Sequence, residues 1–399
     1  MKKKIIFVHF NKFLGDFDWE RYELDILSQQ FNVEVHELLQ LTHPNLTLKY
    51  NEENNKNYIK RFKNFKSWKN YFKDIYNNST LVIFQSMPYT FNSLRCYLFI
   101  KKLKVTCSVI SINNLPTFKD NDLKISLIED FYLKSKSFFF RPKQAFLIIQ
   151  NILILKIIRF FNKKFSPDFA LIGGNNYLSN INKKNYFSYS KIVKINSWDY
   201  SSSLRQKQVH SDKKKYILYI SDGEARFPSD SSLVGSKRVE NSSNYCKNLC
   251  DFFDKIESYF NLKIIIASHP RASIEGNIDI KLGNRSCFKG ITEELVKKSN
   301  FVMNFGSTAI SYAVMHNKPI LFIFSSEDQS KNIPGMKKVK FISAMLNAER
   351  IDINNFTKFE NLKLDFNQDI YNEYFTKYIC VQTDLPNHKI ITDDIMKNL

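Results

Sequence analysis

The fold is decided by two stretches, NLKIIIASHPR (residues 261–271) and FVMNFGSTAISYAVMHNKPILFIF (residues 301–324). Each contains short apolar runs of the kind found in strands of a parallel sheet. The first predicted strand ends at the motif His269-Pro270-Arg271. The second turns through Gly306-Ser307-Thr308 into a helix and then a third strand. Ligands of open α/β sheets bind beyond the carboxyl ends of the strands, so we expect a binding site at these two turns.

The same alternation of strands and helices extends along the chain and predicts a parallel, doubly wound α/β fold. At 399 residues the chain is long enough for two domains. We place the boundary near residue 205, which gives an N-terminal domain (1–205) and a C-terminal domain (206–399). We expect the last helical pattern, about residues 369–399, to pack back on the N-terminal domain. The predicted strands are 4–10, 31–38, 80–85, 105–112, 168–172, 192–195, 215–220, 263–267, 301–304 and 319–324; the predicted helices are 19–30, 51–76, 91–102, 242–260, 310–316 and 369–380.

The formal net charge of +20 is distributed unevenly along the chain. Residues 1–199 hold 31 Lys or Arg against 16 Asp or Glu, a net +15, whereas the remainder holds 28 against 23, a net +5. A basic N-terminal half favours an anionic partner such as an acidic glycan or a membrane surface. A coding bias toward Lys, Asn, Ile and Phe explains the same charge without any partner. We expect no nucleic-acid partner, because the sequence has no helix-turn-helix, zinc or RNA-recognition signature.

Residues 143–165 predict a basic amphipathic helix that is rich in aliphatic and aromatic side chains. Such a helix can lie in a membrane interface. The alternative is a long helix packed between elements of the fold, with Lys and Arg reaching outward to water. Pro142 is expected to break or start this helix.

The sequence predicts neither a metal nor a cofactor. Cys246 and Cys250 stand four apart, but no second pair lies at metal-ligand spacing. The Asp120-Asn121-Asp122 motif lies in a plain polar turn. The N-terminal apolar run is too short for a signal peptide, and no stretch reaches about 18 uninterrupted apolar residues. We therefore expect a cytoplasmic protein that can bind peripherally to the inner face of the plasma membrane.

Three polar motifs of the C-terminal half suggest group transfer from a nucleotide-activated donor. Ser221-Asp222-Gly223-Glu224 follows a strand, so Asp222 or Glu224 is a candidate general base, although Asp-Gly is also a common turn. His269 is a candidate acid, and Arg271 beside Pro270 can contact a phosphate. Gly306-Ser307-Thr308 opens a helix and offers hydroxyl and amide donors to a phosphate, or simply caps that helix.

The N-terminal half offers further candidates on the acceptor side. His9 ends the first predicted strand, and Asp16 and Asp18 follow it. The loop Gly173-Gly174-Asn175 follows another strand, and its glycines allow the backbone to approach a ligand closely or to make a tight turn.

Taken in order, Asp222-Gly223, His269-Pro270 and Ser307-Thr308 resemble the motifs of bacterial sialyltransferases and polysialyltransferases, with related elements in capsule Kdo transferases. The resemblance covers roughly residues 215–325. It implies a GT-B fold, in which two Rossmann-like domains face each other across a cleft. The family has an acidic residue where this chain has Ser221, so the base is Asp222, Glu224 or a residue of the N-terminal domain.

The resemblance further implies transfer of a sialic acid, another nonulosonic acid or Kdo from a CMP-activated donor without a metal. The acceptor would be a surface oligosaccharide or lipid-linked glycan of capsule or lipopolysaccharide biosynthesis. One alternative is a polyol-phosphate transferase that uses a CDP-glycerol-type donor. Another is a UDP-sugar GT-B transferase, for which Glu327 could contact the ribose. The non-enzymatic alternative is a basic module that binds glycan or nucleic acid.

Overall fold

Two parallel β-sheets form the framework of the protein in the computed structural model, which describes residues 2–11, 14, 16–44, 57–112, 142–175, 187–205, 216–221, 242–269, 282–326, 334–356, 359–381 and 384–399. Within these residues, every strand pairing is parallel. The predicted α/β class is confirmed.

The N-terminal sheet has the order β3-β2-β1-β4-β5-β6-β7. The chain starts at β1, extends to one side through β2 and β3, and then returns to the other side of β1 with β4. The gap between β1 and β4 is therefore a topological switch point. The strands of this sheet are β1 (Lys4–His9), β2 (Asn32–Glu37), β3 (Ile59–Arg61), β4 (Thr80–Phe84), β5 (Thr106–Ile112), β6 (Phe169–Gly173) and β7 (Lys191–Ile195).

The C-terminal sheet repeats this logic with the order β10-β9-β8-β11-β12-β13. Here the switch point lies between β8 and β11. The strands are β8 (Ile217–Ile220), β9 (Ile264–Ala267), β10 (Cys287–Phe288), β11 (Phe301–Asn304), β12 (Ile320–Phe324) and β13 (Glu349–Asp352).

Both faces of each sheet are buried, which explains why the strands are continuous apolar runs. Successive side chains of a strand point to opposite faces. Leu218 and Ile220 thus enter one core cluster, and Ile217 and Tyr219 enter the other. The N-terminal sheet is buried in the same way by two clusters of its own.

Helices connect the strands and cover the sheets. The short helix α11 leads from β11 towards β12, as the sequence predicts, and α5 and α9 match their predicted bounds. The helices are α1 (Asp16–Arg21), α2 (Leu24–Gln30), α3 (Leu39–Thr42), α4 (Phe65–Ile75), α5 (Phe91–Lys102), α6 (Pro142–Phe160), α7 (Asn162–Phe165), α8 (Trp198–Ser203), α9 (Ser242–Phe260), α10 (Thr292–Lys298), α11 (Ile310–Met315), α12 (Pro334–Met345), α13 (Gln368–Tyr374) and α14 (Asn387–Asp394).

Two predicted helices of the N-terminal half are wrong in detail. The helix predicted at 19–30 is broken at Glu23, which adopts φ 56° and separates α1 from α2. Within the described part of the helix predicted at 51–76, which is residues 57–76, the helix begins at Phe65, after an Asn64 cap. Before it, Ile59 pairs with Val35 and extends the sheet as β3. The short edge strands β10 and β13 were not predicted either.

The predicted 143–165 helix is two helices, α6 and α7, and α6 begins at Pro142. Proline suits the first turn of a helix, because the amide it lacks has no partner there anyway. Among the described residues, no helix has the length and hydropathy needed to cross a bilayer.

The C-terminal segment divides between the two cores instead of forming one helix. Tyr371 and Tyr374 of α13 lie in a core cluster of the C-terminal sheet. A π-helical turn, Phe375–Ile379, ends α13. The chain then crosses, and Ile390 and Ile391 of α14 lie in a core cluster of the N-terminal sheet.

Candidate functional site

The C-terminal sheet brings three of the predicted segments to one edge. Ser221 follows β8, and its amide donates to the Ala267 carbonyl of β9 at 3.0 Å. Half-buried His269 follows β9, and Gly306 follows β11. The strand order is β9-β8-β11. Because neighbouring strands are about 4.8 Å apart, the ends that carry His269 and Gly306 are roughly 10 Å apart, with Ser221 between them.

The turn after β11 depends on a glycine. Gly306 has φ 133°, which side chains rarely tolerate, and a Cβ there would meet Val339 Cγ2 at 3.4 Å. The hydroxyl of Ser307 accepts from the Ala309 amide at 3.3 Å, so it also closes the turn. Helix α11 has only six residues. The donors available to a phosphate here are therefore chiefly the turn's hydroxyls, on Ser307 and Thr308, rather than a long helix dipole.

The side chain of Asn304 stabilises this turn. The sequence did not point to this residue. Its side chain is fully buried, and Oδ1 accepts from the amides of Gly306 (2.5 Å) and Ser307 (2.9 Å). Since only the oxygen can accept, these bonds fix which way the side-chain amide points. Asn304 Nδ2 then has no hydrogen-bond partner within the described part of the chain. A buried donor without a partner costs about 1–3 kcal/mol, which an oxygen of a ligand or of a water would recover.

Several predicted site residues lie outside the described residues: Asp222, Gly223, Glu224, Pro270 and Arg271. Glu327 and the Asp120-Asn121-Asp122 motif also lie outside them. Their proposed roles stay predictions. Within the described residues, no group of three or more His, Cys, Asp or Glu side chains is arranged to hold a metal.

The N-terminal sheet has polar groups at its own switch point. His9 ends β1 and is fully buried. Gln85 follows the neighbouring strand β4, and its amide donates to the Val8 carbonyl at 3.0 Å. Gln85 Oε1 and Ser86 Oγ are buried and have no hydrogen-bond partner among the described residues. Both switch points thus carry buried polar atoms that the described fold leaves unsatisfied.

Glu37 is a second group that the sequence analysis missed. It pairs in register with His9 on the adjacent strand. Its carboxylate accepts from the Leu14 amide at 2.9 Å and from Arg61 Nε at 3.2 Å. Burial raises the pKa of Glu37 to about 7, although Arg61 acts in the opposite direction. This carboxyl group therefore titrates near neutral pH at the edge of the N-terminal sheet. Its position within an apolar strand gave no sequence signal for this.

Two of the remaining acceptor-side candidates, Asp16 and Asn175, are held by other parts of the chain. Asp16 is exposed and accepts from the Tyr58 hydroxyl at 2.7 Å. Asn175 is exposed and donates from Nδ2 to the Thr376 carbonyl at 2.9 Å. The Gly173-Gly174 loop packs closely against the backbone at Lys377. A Cβ on Gly174 would lie 3.0 Å from the Lys377 carbonyl oxygen.

Replacing Gly174 with alanine is expected to lower the free energy of unfolding by about 1–3 kcal/mol. Gly174 has φ 87°, and the added methyl group would meet the Lys377 backbone. The matched control is Gly290→Ala, because Gly290 has φ 80° but open space around its Cβ position. Urea denaturation should show a larger loss for Gly174→Ala; equal losses would mean that the contact with residue 377 contributes nothing.

Buried polar contacts connect the domains next to the glycine turn. Ser311 of α11 donates to Asp199 of α8 at 2.6 Å, and Arg21 of α1 lies 4.0 Å from the same carboxylate. Burial raises the pKa of Asp199, against the opposing effect of Arg21. Because α11 directly follows the turn, these contacts couple the turn to α1 of the N-terminal domain.

A second carboxylate, Glu293 of α10, makes the same kind of bridge. It accepts from Ser203 Oγ at 2.7 Å and contacts His316 Nε2 at 3.0 Å and Lys297 Nζ at 2.8 Å. Burial by itself would raise the pKa of Glu293, but these bonds outweigh it and lower the pKa to about 2.

Protonation of Glu293 is expected to lower the free energy of unfolding in acid. A lowered pKa means that its contribution, about 3 kcal/mol, is fully present above about pH 4.5 and is lost as the pH falls towards 2. Urea denaturation should therefore show Glu293→Gln to be less stable than wild type at pH 7 and closer to it at pH 3. Glu294→Gln, on the same helix, is the control. A stability difference that does not change with pH would contradict the assignment.

Comparisons with known proteins bear on the fold. No protein-family model matches the chain, and no curated protein matches it in sequence. Among solved structures, the chain is similar to Phytolacca americana UGT2 complexed with UDP-2fluoro-glucose and pterostilbene (TM-score 0.52, 9% identity, 100% of both chains covered). It is also similar to the H444N variant of the wall teichoic acid polymerase TagF (TM-score 0.51, 12% identity, 100% of this chain and 89% of that one). A UDP-N-acetylglucosamine 2-epimerase gives a TM-score of 0.50 at 10% identity, with 100% of this chain and 97% of that one covered. The chain therefore has the GT-B fold, with two Rossmann-like domains, as the resemblance implied.

Proposed function

We propose that the protein is a glycosyltransferase that transfers a glycosyl group from a nucleotide-activated donor to a hydroxyl acceptor. The proposal rests on the buried polar atoms at the two switch points that have no hydrogen-bond partner within the described residues. Asn304 Nδ2 lies unsatisfied at the edge of one sheet, and Gln85 Oε1 and Ser86 Oγ lie unsatisfied at the other. A GT-B enzyme needs polar groups at both edges, because one domain binds the donor and the other the acceptor.

The donor side of the proposal rests on the C-terminal sheet. Ser307 and Thr308 would donate hydroxyl hydrogen bonds to the donor phosphate, and Asn304 Nδ2 would add a third donor from below. His269, at the neighbouring strand end, would donate a proton or hydrogen bond to the phosphate as it leaves. Charge that develops on the leaving phosphate is thereby stabilised by groups that are already in place.

The acceptor side rests on the N-terminal sheet. Gln85 and Ser86 offer oxygens that would accept from the hydroxyl groups of a glycan. Asp222, Glu224 or a residue of the N-terminal domain would remove the acceptor proton. Glu37 and His9 mark the edge at which the acceptor would lie.

A UDP-sugar is the preferred donor. The UGT2 structure is described as a complex with UDP-2fluoro-glucose, and the 2-epimerase is named for UDP-N-acetylglucosamine. The CMP-activated nonulosonic acid or Kdo donor is the second candidate, because the order of the His269-Pro270 and Ser307-Thr308 motifs favours it. TagF, a wall teichoic acid polymerase, supports inclusion of a CDP-glycerol-type donor as the third.

The proposal is tested by incubating the purified protein with UDP-glucose, UDP-N-acetylglucosamine, CMP-N-acetylneuraminic acid and CDP-glycerol, with water as the acceptor of the transferred group. Chromatography then measures release of the free nucleotide. We expect nucleotide release from one class of donor only, and we expect that class to be the UDP-sugars. Release from none of the donors, together with no shift of the thermal midpoint by UDP, CMP or CDP, would overturn the proposal.

A further inference from the structure

The described side chains of helix α6 pack on the N-terminal domain through a narrow stripe of its surface. Ile154 and Ile158 are fully buried and form a small cluster with Leu94 of α5. The next face of the helix is apolar as well, yet it is exposed. Its side chains and their exposed fractions are Phe146 (57%), Ile149 (38%), Leu153 (45%), Ile157 (37%) and Phe160 (82%).

These five side chains form one continuous surface, because they recur every three or four residues. The surface runs over the 15 residues from Phe146 to Phe160 of α6, so it is about 22 Å long. Phe161, which follows the helix, extends it and is 48% exposed. Contiguous exposed apolar surface of this kind marks an interaction site rather than a solvated face.

A basic row runs beside the apolar face. Lys156 and Arg159 of α6, three residues apart, and Lys163 of the following helix α7 are all exposed. Residues 142–165 hold five Lys or Arg and no Asp or Glu. An apolar face with an adjacent basic row is the pattern of helices that lie flat in the interface of an anionic membrane.

The positive charge of the basic row favours an anionic bilayer over a second copy of the chain as the surface that covers this face. A second copy of the chain would bring its own basic row to the contact, on a protein of net charge +20. An anionic bilayer instead offers phosphate groups to the row and hydrocarbon to the apolar face. Each basic side chain near such a surface strengthens binding roughly fivefold.

We propose that α6 docks the protein on the surface of an anionic lipid bilayer. The helix lies parallel to the membrane, with Phe146, Leu153 and Phe160 inserted at the level of the headgroups. Lys156, Arg159 and Lys163 contact the lipid phosphates. This docking goes beyond the proposed transfer reaction and does not rest on it, since it is measured without any substrate.

The test is co-sedimentation of the full chain with sucrose-loaded vesicles of phosphatidylcholine alone or with 30% phosphatidylglycerol. We expect the wild type to bind the anionic vesicles at least tenfold more tightly than the neutral ones. Lys156→Gln/Arg159→Gln/Lys163→Gln should weaken binding about 100-fold, and Leu153→Gln/Ile157→Gln at least tenfold. Glutamine is a good helix former, so both variants should keep α6.

The control variants make comparable changes at exposed positions outside α6. Lys63→Gln/Lys66→Gln/Lys73→Gln removes three exposed charges at and just before α4, and Tyr189→Asn/Leu385→Asn removes two exposed apolar groups. We expect both controls to bind within fivefold of the wild type. Phe160→Trp provides an independent readout, because brominated lipids should quench the fluorescence of the new tryptophan. The control is Tyr259→Trp, whose quenching should not exceed that of the three native tryptophans.

Three outcomes would overturn the proposal. The first is a wild type that does not bind anionic vesicles. The second is equal binding by the α6 variants and their controls. The third is a wild type that light scattering shows to be a dimer, with twice the mass of 47.1 kDa, and that Leu153→Gln/Ile157→Gln converts to a monomer. A second copy of the chain would then cover the face.

Discussion

Replacing His269 with alanine is expected to abolish glycosyl transfer while leaving the protein folded. His269 is half-buried just beyond β9, at the same sheet edge as the glycine turn. Loss of a positioned acid typically lowers kcat by about 10²- to 10⁴-fold. The measurement is nucleotide release from the donor that the wild type uses, with the thermal midpoint as the test of folding.

Imidazole added to the solution should restore part of the activity of His269→Ala, because it can occupy the space left by the side chain. A purely structural role would not respond to imidazole. Turnover by the variant within threefold of the wild type would remove His269 from the mechanism. The nucleotide-binding proposal would then still be judged separately by the affinity for the free nucleotide.

The second large effect is expected at Asn304. Asn304→Asp keeps an oxygen for the amides of Gly306 and Ser307, but it removes the unsatisfied Nδ2 donor and adds a buried negative charge. Affinity for the donor nucleotide should fall at least 100-fold, the ratio that corresponds to about 2.7 kcal/mol. Titration calorimetry measures this directly.

Asn300→Asp is the matched control, because Asn300 is exposed just before the same strand. Its nucleotide affinity should stay within twofold of the wild type. Asn304→Ala, which loses the bonds to the turn without adding charge, should also bind weakly. If Asn304→Asp binds nucleotide as tightly as wild type, then Nδ2 does not face the phosphate, and the donor site lies elsewhere on the sheet edge.

The strands were predictable because their burial on two faces requires continuous apolar runs. Ile264–Ala267 and Ile320–Phe324 are examples, each found within one residue of its predicted start. The break at Glu23 was not predictable. Its carboxylate accepts from the His388 amide at 2.7 Å, a contact between residues 365 positions apart. No local pattern in residues 19–30 contains that information.

The candidate site was predictable to the level of the sheet edge. The predicted strand ends and the glycine-containing turn placed His269 and Ser307 at the same edge of the sheet. The structure adds that β8 lies between the two strands they follow. Which polar atoms the fold leaves without partners depends on side-chain packing. Asn304 and Gln85 therefore emerged only from the structure.

The packing of α14 also constrains the order in which the protein folds during synthesis. Ile390, Ile391 and Met396 belong to the same core cluster as Ile5 and Val33. That cluster cannot close until residues 387–399 have left the ribosome, by which time all the strands of the C-terminal sheet have been made. The first half of the chain must therefore wait with one face of its sheet incomplete until residues 387–399 complete it.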